Sequence, residues 1–266
     1  MDQNPILINF YKDLKYRDDP PRYIASLPWK SPAHKDSMVN NVRLARKRLD
    51  SLHERKLNID PKLHDDYYKV ISNYISEGKA EIIPNNEIEN SRHVNYMPHR
   101  PVIKKASKSS RIRPVFDGSA KSHYKISLND CLNTGPNLLP DLVEIFIRFR
   151  RWPIALTGDV SQAFLQIEMN ISDRDAHRFL IYRDGQIEHC RFTRVPFGNT
   201  SSPFILNAVM RHHLNTFPDS EIKDDLKKNI YVDNYLSGAD NQEEALNKFK
   251  SACQFCWYEP QQMNFQ

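Results

Sequence analysis

Absences narrow the field first. No stretch of the 266 residues approaches the roughly 18 consecutive apolar positions that a membrane span needs, so no membrane partner is expected. The N-terminus, MDQNPILINFYKDLKYRDDPPRY, lacks a basic region followed by a long apolar run, and no secretory leader is read there. Cysteine is scarce: Cys131, Cys190, Cys253 and Cys256 are the four, and only the last two are close, as Cys-Gln-Phe-Cys. A zinc site would want a second pair or histidines at suitable spacing, and reduced thiols fit an intracellular setting, cytoplasmic or nuclear or both. With seven glycines there is no glycine-rich phosphate loop, and no His-Glu-x-x-His motif, internal repeat or low-complexity segment occurs.

What is present is a chain long enough to bury a sizeable core, as one large domain or two closely joined subdomains. Its net charge of +5 is compatible with nucleic acid. The distribution says more. Between His99 and Lys125 stand eight basic residues, Arg100, Lys104, Lys105, Lys108, Arg111, Arg113, Lys121 and Lys125, against one acid, Asp117.

Residues 1 to about 35, rich in proline and charge, read as an irregular arm packed by Trp29. A helix is expected over about 38–57, with Val42, Ala45, Leu49 and Leu52 on one face and basic residues on the other. A second is expected over about 63–77, carrying Tyr67, Ile71, Tyr74 and Ile75, with Gly78 placed to cap its end. Downstream, RIRPVFD, PIALTGDV and the alternating QIEHCRFTRV read as strands. DLVEIFIRFR, SSPFILNAVMRHHLNTF and QEEALNKFKSAC read as helices, and NIYVDNYLSG as a hairpin. Helices interleaved with mostly antiparallel strands mean an α+β fold.

Asp159 ends an apolar strand, and Asp233 sits at the tip of the YVDN turn 74 residues later. Strand-end carboxylates that can meet on one sheet are what a magnesium site needs, since hard oxygen ligands hold the ion and phosphates complete its shell. In two-metal nucleotidyl transfer one ion would activate a primer 3′-hydroxyl and the other hold the triphosphate, about 3.5–4 Å apart. The plainer alternative is that each aspartate is a turn former, Asp-Asn being favoured in a tight hairpin because both tolerate left-handed backbone. His212 and His213 are adjacent on a helix and so face different ways, which argues against a shared metal.

Six pieces occur in order: SLPWK, YMPHRPVIKKASKSSRIRPVFDGSAK, SLNDCLNTGPNLLPDL, ALTGDVSQAFLQIEM, VPFGNTSSPF and YVDNYLSG. With them the chain resembles, from about residue 23 to 250, the reverse transcriptase region of BEL/Pao-type LTR retrotransposon polyproteins. The resemblance implies the fingers and palm of a right-hand polymerase. Residues 1–90 would be an arm and helices leading to the fingers, 91–155 mainly fingers, 156–254 mainly palm, and 255–266 a tail outside the resemblance.

Carried over by position, the resemblance makes Asp159, the Val160 carbonyl and Asp233 metal ligands. Asn234 is then a degenerate catalytic position where a second aspartate is expected. Phe164 matches the aromatic under the incoming sugar, and its ring would exclude a 2′-hydroxyl; plain core packing is its alternative. Lys104 or Lys105, with Arg113, fall where the fingers contact the triphosphate, a place where cations stabilise charge on transferring phosphoryl oxygens. Pro196, Phe197 and Gly198 match the turn beneath nucleotide and template, and Tyr231 and Val232 flank the substrate. The implied cofactor is a pair of Mg²⁺ ions, with Mn²⁺ as an alternative, and the implied partners are an RNA or DNA template with primer and deoxynucleoside triphosphates.

Asn234 removes one negative charge, a loss that typically costs about 10²–10³ in rate. Asp159 and Asp233 remain, and magnesium sites often manage with one or two carboxylates plus substrate phosphates. After about Lys250 the tail SACQFCWYEPQQMNFQ leaves the family pattern, in which a primer-gripping hairpin, thumb, ribonuclease H and integrase would follow. A fragment or decayed copy without its thumb is therefore expected, impaired as a polymerase.

Overall fold

The computed structural model describes residues 3–103, 112–121, 126–255 and, as backbone, 263–265. The chain opens with helix α1 (Pro5–Asp13), strands β1 (Lys15–Asp18) and β2 (Pro21–Ala25), and helix α2 (Pro32–Asp36). Helix α3 (Val42–Leu52) runs into one wide π turn (His53–Leu57), followed by α4 (Pro61–Ser76), β3 (Ala80–Ile82) and α5 (Asn85–Ile88). Next come β4 (His99–Ile103), β5 (Ile112–Phe116), α6 (Leu128–Cys131), α7 (Leu142–Arg150) and β6 (Ile154–Val160). Two short 3₁₀ segments, Ala163–Gln166 and Ile171–His177, flank β7 (Glu168–Met169) and precede β8 (Arg178–Arg183) and β9 (Gln186–Phe192). The chain then forms α8 (Ser202–Thr216), α9 (Glu221–Asn229), β10 (Ile230–Tyr231), β11 (Asn234–Ala239), α10 (Gln242–Cys253) and β12 (Met263–Phe265). The fold is α+β, as the interleaved patterns predict.

The elements divide into two compact units, each assembled from separate stretches. The first takes Met1–Ala25, Gly135–Ile167 and Pro203–Gln266. Its sheet has the order β10-β11-β6-β12, with β6 antiparallel to both neighbours. Helices α7, α9 and α10 pack on β11, and α10 also on β6. Leu156, Val160 and Tyr235 are buried among the sheet residues, and Ile205, Leu206 and Val209 on α8.

The second unit takes Ser26–Thr134 and Glu168–Ser202. It holds the antiparallel sheet β3-β9-β8 and the hairpin β4-β5, in which Val102 pairs with Arg113. Phe116, Phe179 and Phe192 form an aromatic cluster with ring centroids 4.7–5.2 Å apart, in the range where edge and offset contacts add to burial. Arg178 is fully buried, and each of its three nitrogens is bonded: it donates to Asp175 (2.8 Å), the Ile88 and Glu87 carbonyls and the Tyr96 hydroxyl.

Helix α4 follows its sequence signals at both ends. Asp60 accepts from the Leu63 N–H at 2.9 Å, and Pro61 takes the first helical position. Gly78 closes it at φ +64°, with the Lys79 N–H on the Tyr74 carbonyl and its own N–H on Ile75, a Schellman pair of bonds. Helix α3 starts at Val42, four residues later than expected, because Asn41 is drawn into a reciprocal pair with the Tyr96 backbone (2.6 and 2.9 Å).

The first 35 residues are more ordered than an irregular arm. Asn4 caps α1 by accepting from Ile6 and Leu7, and Phe10 meets Phe204 edge-on at 5.2 Å. β1 and β2 pair through four registers, Tyr16 opposite Tyr23. The short elements and few buried positions left too little periodicity for the pattern to register.

Candidate active site

Two residues, Val232 and Asp233, form the loop between β10 and β11, because Tyr231 and Asn234 pair with each other. Val232 has φ +59°, and Asp233 is not left-handed. Positive φ at the first loop position alone is the II′ pattern, where glycine is the favoured residue. A β-branched valine there is a true outlier that stores of the order of 1–3 kcal/mol. The plainer alternative, in which Asp-Asn supplies the left-handed backbone, does not describe this turn: the strained residue is Val232, and Asn234 already belongs to the strand.

The strain is held by the neighbouring strand. The Val160 N–H donates to the Asp233 carbonyl at 2.8 Å, and Asn234 lies directly opposite Asp159 in the β6-β11 ladder. Directly opposed residues project from one face of a sheet. Asp159 and Asn234 are both exposed. The Asn234 amide donates to Asp233 Oδ1 at 2.8 Å, so the amide supplies a bond where a second carboxylate would supply repulsion.

The opposite face of β11 is clamped. Buried Tyr235 donates its hydroxyl to Asp225, which also receives Ser237 Oγ (2.8 Å) and Asn229 Nδ2 (3.0 Å), with Lys248 3.8 Å away. Burial, reinforced by the Asp225 charge, raises the Tyr235 phenol above its ordinary range. Arg148 ties the start of β10 from α7, donating to Asn229 Oδ1 (2.9 Å) and the Lys228 carbonyl (2.7 Å). Sequence reasoning missed Asp225, Asn229 and Arg148, whose roles depend on elements distant in the chain. The alternation Asn234 out, Tyr235 in, Leu236 partly out, Ser237 in was the one local signal.

After β6 the chain turns through Gln162 at φ +50° into the 3₁₀ segment, whose four side chains are all buried, Phe164 to 4% exposure. Gln166 donates to the Ser161 carbonyl at 3.1 Å and Arg22 to the Gln166 carbonyl at 2.9 Å, fixing the turn. Asp159, Val160, Phe164, Tyr231, Val232, Asp233 and Asn234 thus share the first unit.

Arg113, Pro196, Phe197 and Gly198 share the second. Arg113 is exposed on β5. Ser202 Oγ donates to the buried Pro196 carbonyl at 2.7 Å, and Phe197 is 49% exposed. Gly198 has φ +108°, and a Cβ there would meet the Phe116 carbonyl oxygen at 2.1 Å, so the backbones approach as only glycine permits. Lys104 and Lys105 lie outside the described residues, as does Cys256.

As a metal site, Asp159, Asp233 and the Val160 carbonyl offer hard oxygen donors of the kind magnesium takes. The donor set fits in type and carries one charge fewer than a two-aspartate hairpin would. Among the described residues no three or more His, Cys, Asp or Glu side chains gather to hold a metal ion. His213 bonds Tyr23 at 3.1 Å and His212 stands edge-on to the same ring at 5.8 Å.

Solved structures carry the same fold. The prototype foamy virus protease-reverse transcriptase (CSH mutant) matches over 74% of this chain at TM-score 0.51 and 19% identity. The foamy viral protease-reverse transcriptase matches at TM-score 0.53 and 18% identity both in complex with an RNA/DNA hybrid and in complex with dsDNA, again over 74% of this chain. This chain covers 22% of the first two proteins' chains and 35% of the third. No curated protein matches the sequence. The architecture is accordingly the α+β fingers-palm arrangement of reverse transcriptases. Residues 103–259, more than half of the chain, match the family of reverse transcriptases described as RNA-dependent DNA polymerases, and the chain belongs to that family.

Proposed function

We propose that the chain is the fingers-palm part of a BEL/Pao-type retrotransposon reverse transcriptase, adding deoxynucleotides to a primer 3′-hydroxyl on an RNA template at a rate lowered by Asn234. The observation that carries this reading is the placement of Asp159 opposite Asn234, beside a hairpin tip that presents Asp233 through a strained Val232. Outliers of this kind collect at functional sites. The order of the six motif pieces supports the narrower family.

In the reaction the 3′-oxygen attacks the α-phosphorus, the bond to the bridging oxygen breaks, and pyrophosphate leaves. Two Mg²⁺ ions, when bound, would neutralise phosphate charge and make the primer hydroxyl a better nucleophile. Asp159 and Asp233 would hold them, with the Val160 carbonyl. Arg113 would stabilise the triphosphate, and Phe164 would select against a 2′-hydroxyl. Such an activity places the chain inside the cell, in the cytoplasm or nucleus.

A second reading is a silent nucleic-acid-binding protein, and the Asn234–Asp233 hydrogen bond favours it by satisfying part of the Asp233 carboxylate without a metal. Primer extension on an RNA template, comparing the natural chain with Asn234→Asp and Asp159→Ala, separates the two. Extension that rises with Asn234→Asp and vanishes with Asp159→Ala supports the polymerase. Extension indifferent to Asp159→Ala removes the assigned site.

A further inference from the structure

The SLPWK piece, Ser26 to Lys30, has no part in the proposed chemistry, yet it is fastened to one buried carboxylate. Asp173, 3% exposed in the second 3₁₀ segment, accepts from the Leu27 N–H at 2.8 Å, from Trp29 Nε1 at 3.0 Å and from Lys35 Nζ on α2 at 2.7 Å. Asn170, which caps the same segment, adds a bond from its Nδ2 to Ser26 Oγ at 3.0 Å. Bonds to an ionised carboxylate are among the stronger ones a protein makes, and moving these donors would strand the charge away from water.

On its other side the same piece is fastened to α6 and the residues after it. The Lys30 N–H donates to the Cys131 carbonyl at 3.0 Å, and the Asn133 N–H to the Pro28 carbonyl at 2.8 Å. Asn133 Nδ2 reaches the Trp29 carbonyl at 3.3 Å, and Lys30 Nζ the Asp130 carbonyl at 2.7 Å. SLPWK therefore links the 3₁₀ segment to α6, two elements far apart in the sequence.

Both linked elements hold the turn at Pro196–Gly198. From α6, Asn129 Nδ2 donates to the Gly198 carbonyl at 3.2 Å, and Asn129 Oδ1 accepts from the Thr200 N–H at 2.9 Å. From the 3₁₀ segment, buried His177 accepts from the Asn199 amide. These bonds close a ring from Asp173 through SLPWK, α6 and the turn to His177 and back, all within the second unit. A carboxylate that only stabilised its own segment would bond within it; the three donors to Asp173 come from SLPWK and α2. Gly198 already lies as close to the Phe116 carbonyl as glycine permits, so the turn has no slack on that side and follows its supports.

We infer that Asp173 is a positioning residue: by gripping Leu27 and Trp29 it sets, through α6, where the Pro196–Gly198 turn meets an incoming deoxynucleoside triphosphate. The inference rests on the polymerase reading for its ligand, and its test is separable from that reading. Amide hydrogen exchange, resolved by residue with NMR, is compared between the full chain and its Asp173→Asn and Trp29→Phe variants. The first removes the charge, the second only the indole N–H. Each chain is also titrated with a fluorescent deoxyadenosine triphosphate and magnesium, on a primer-template whose dideoxy end prevents turnover.

Asp173→Asn is expected to speed exchange at the Lys30, Asn133 and Thr200 amides by about tenfold, with amides of the β8-β9 ladder changing less than about twofold. Trp29→Phe should move the same three amides in the same direction by less, and it decides the matter alone if Asp173→Asn does not fold. Affinity for the triphosphate should fall by about fivefold or more while affinity for the primer-template holds within about twofold, a split that general loss of stability would not produce. An unchanged Thr200 amide in both variants overturns the inference. Equal acceleration throughout the second unit, or equal loss of triphosphate and primer-template, reduces Asp173 to a stabiliser of the fold and overturns it too. A parent chain that binds no triphosphate removes the polymerase reading, and the exchange pattern then decides by itself whether Asp173 holds the turn.

Discussion

Asp159 and Asn234 face each other across the β6-β11 ladder, one carboxylate against one amide on an exposed sheet surface. The amide reaches sideways to Asp233 rather than across to Asp159. The tip therefore carries no pair of adjacent carboxylates to repel one another in the absence of cations, and its strain is confined to the Val232 backbone.

Asn234→Asp reverses that balance. Without divalent ions the variant is expected to be less stable by about 1 kcal/mol, through the lost hydrogen bond and added repulsion. With magnesium it should recover, and primer extension should rise by about 10²–10³. Thermal unfolding with and without the ion, alongside the extension rate, checks both halves.

Val232→Gly tests the strained turn. Relief of the left-handed penalty, about 1–2 kcal/mol, outweighs the about 0.5–1 kcal/mol of extra chain entropy that glycine loses on folding. The midpoint of urea unfolding is expected to rise by an amount equivalent to up to about 1 kcal/mol. A lower midpoint would mean that the valine side chain contributes more by packing than its backbone costs.

Gly198→Ala is expected to destabilise the second unit by more than about 1 kcal/mol, because the new methyl meets the Phe116 carbonyl at 2.1 Å and φ is +108°. Hydrogen exchange at β5 amides would show the loss as faster opening.

Acid should unfold the protein before its carboxylates titrate. Burial lowers His99, His177 and His213 from 6.5 to about 4. The folded state then binds fewer protons than the unfolded chain between those values. Stability is complete above about pH 6.5 and falls toward pH 4, by about 1.4 kcal/mol per pH unit for each histidine. His99→Gln, able to accept from Tyr67 and donate to Leu180, should flatten the slope by that one histidine's share. Thermal midpoints from pH 7 to 4 measure it.

Residues whose partners lie close in sequence were legible. Gly78 closes α4 as expected, while its start lies at Pro61 behind the Asp60 cap, two residues before the expected position, and the apolar run into Asp159 is a strand. Helix α9 escaped because its nine residues are mostly charged, with its stability coming from the Ser220 cap and buried Leu226. Arg178 escaped because a buried guanidinium looks like a surface one until Glu87, Asp175 and Tyr96 are brought around it. The YVDN turn was legible as a turn, but not that Val232 would carry its left-handed backbone, because the Tyr231–Asn234 pairing that sets the loop at two residues lies outside any local pattern.

Strand β6 is hydrogen-bonded along both edges, to β11 on one side and β12 on the other. A strand with one free edge can slip by a residue and invert its faces; one held on both sides would have to break two ladders together. The address of the Asp159 carboxylate is thus written by the strands on both sides of it, and a lesion that breaks the β12 pairing, where Asn264 lies directly opposite Asp159, would be felt as a loosening of where that charge points.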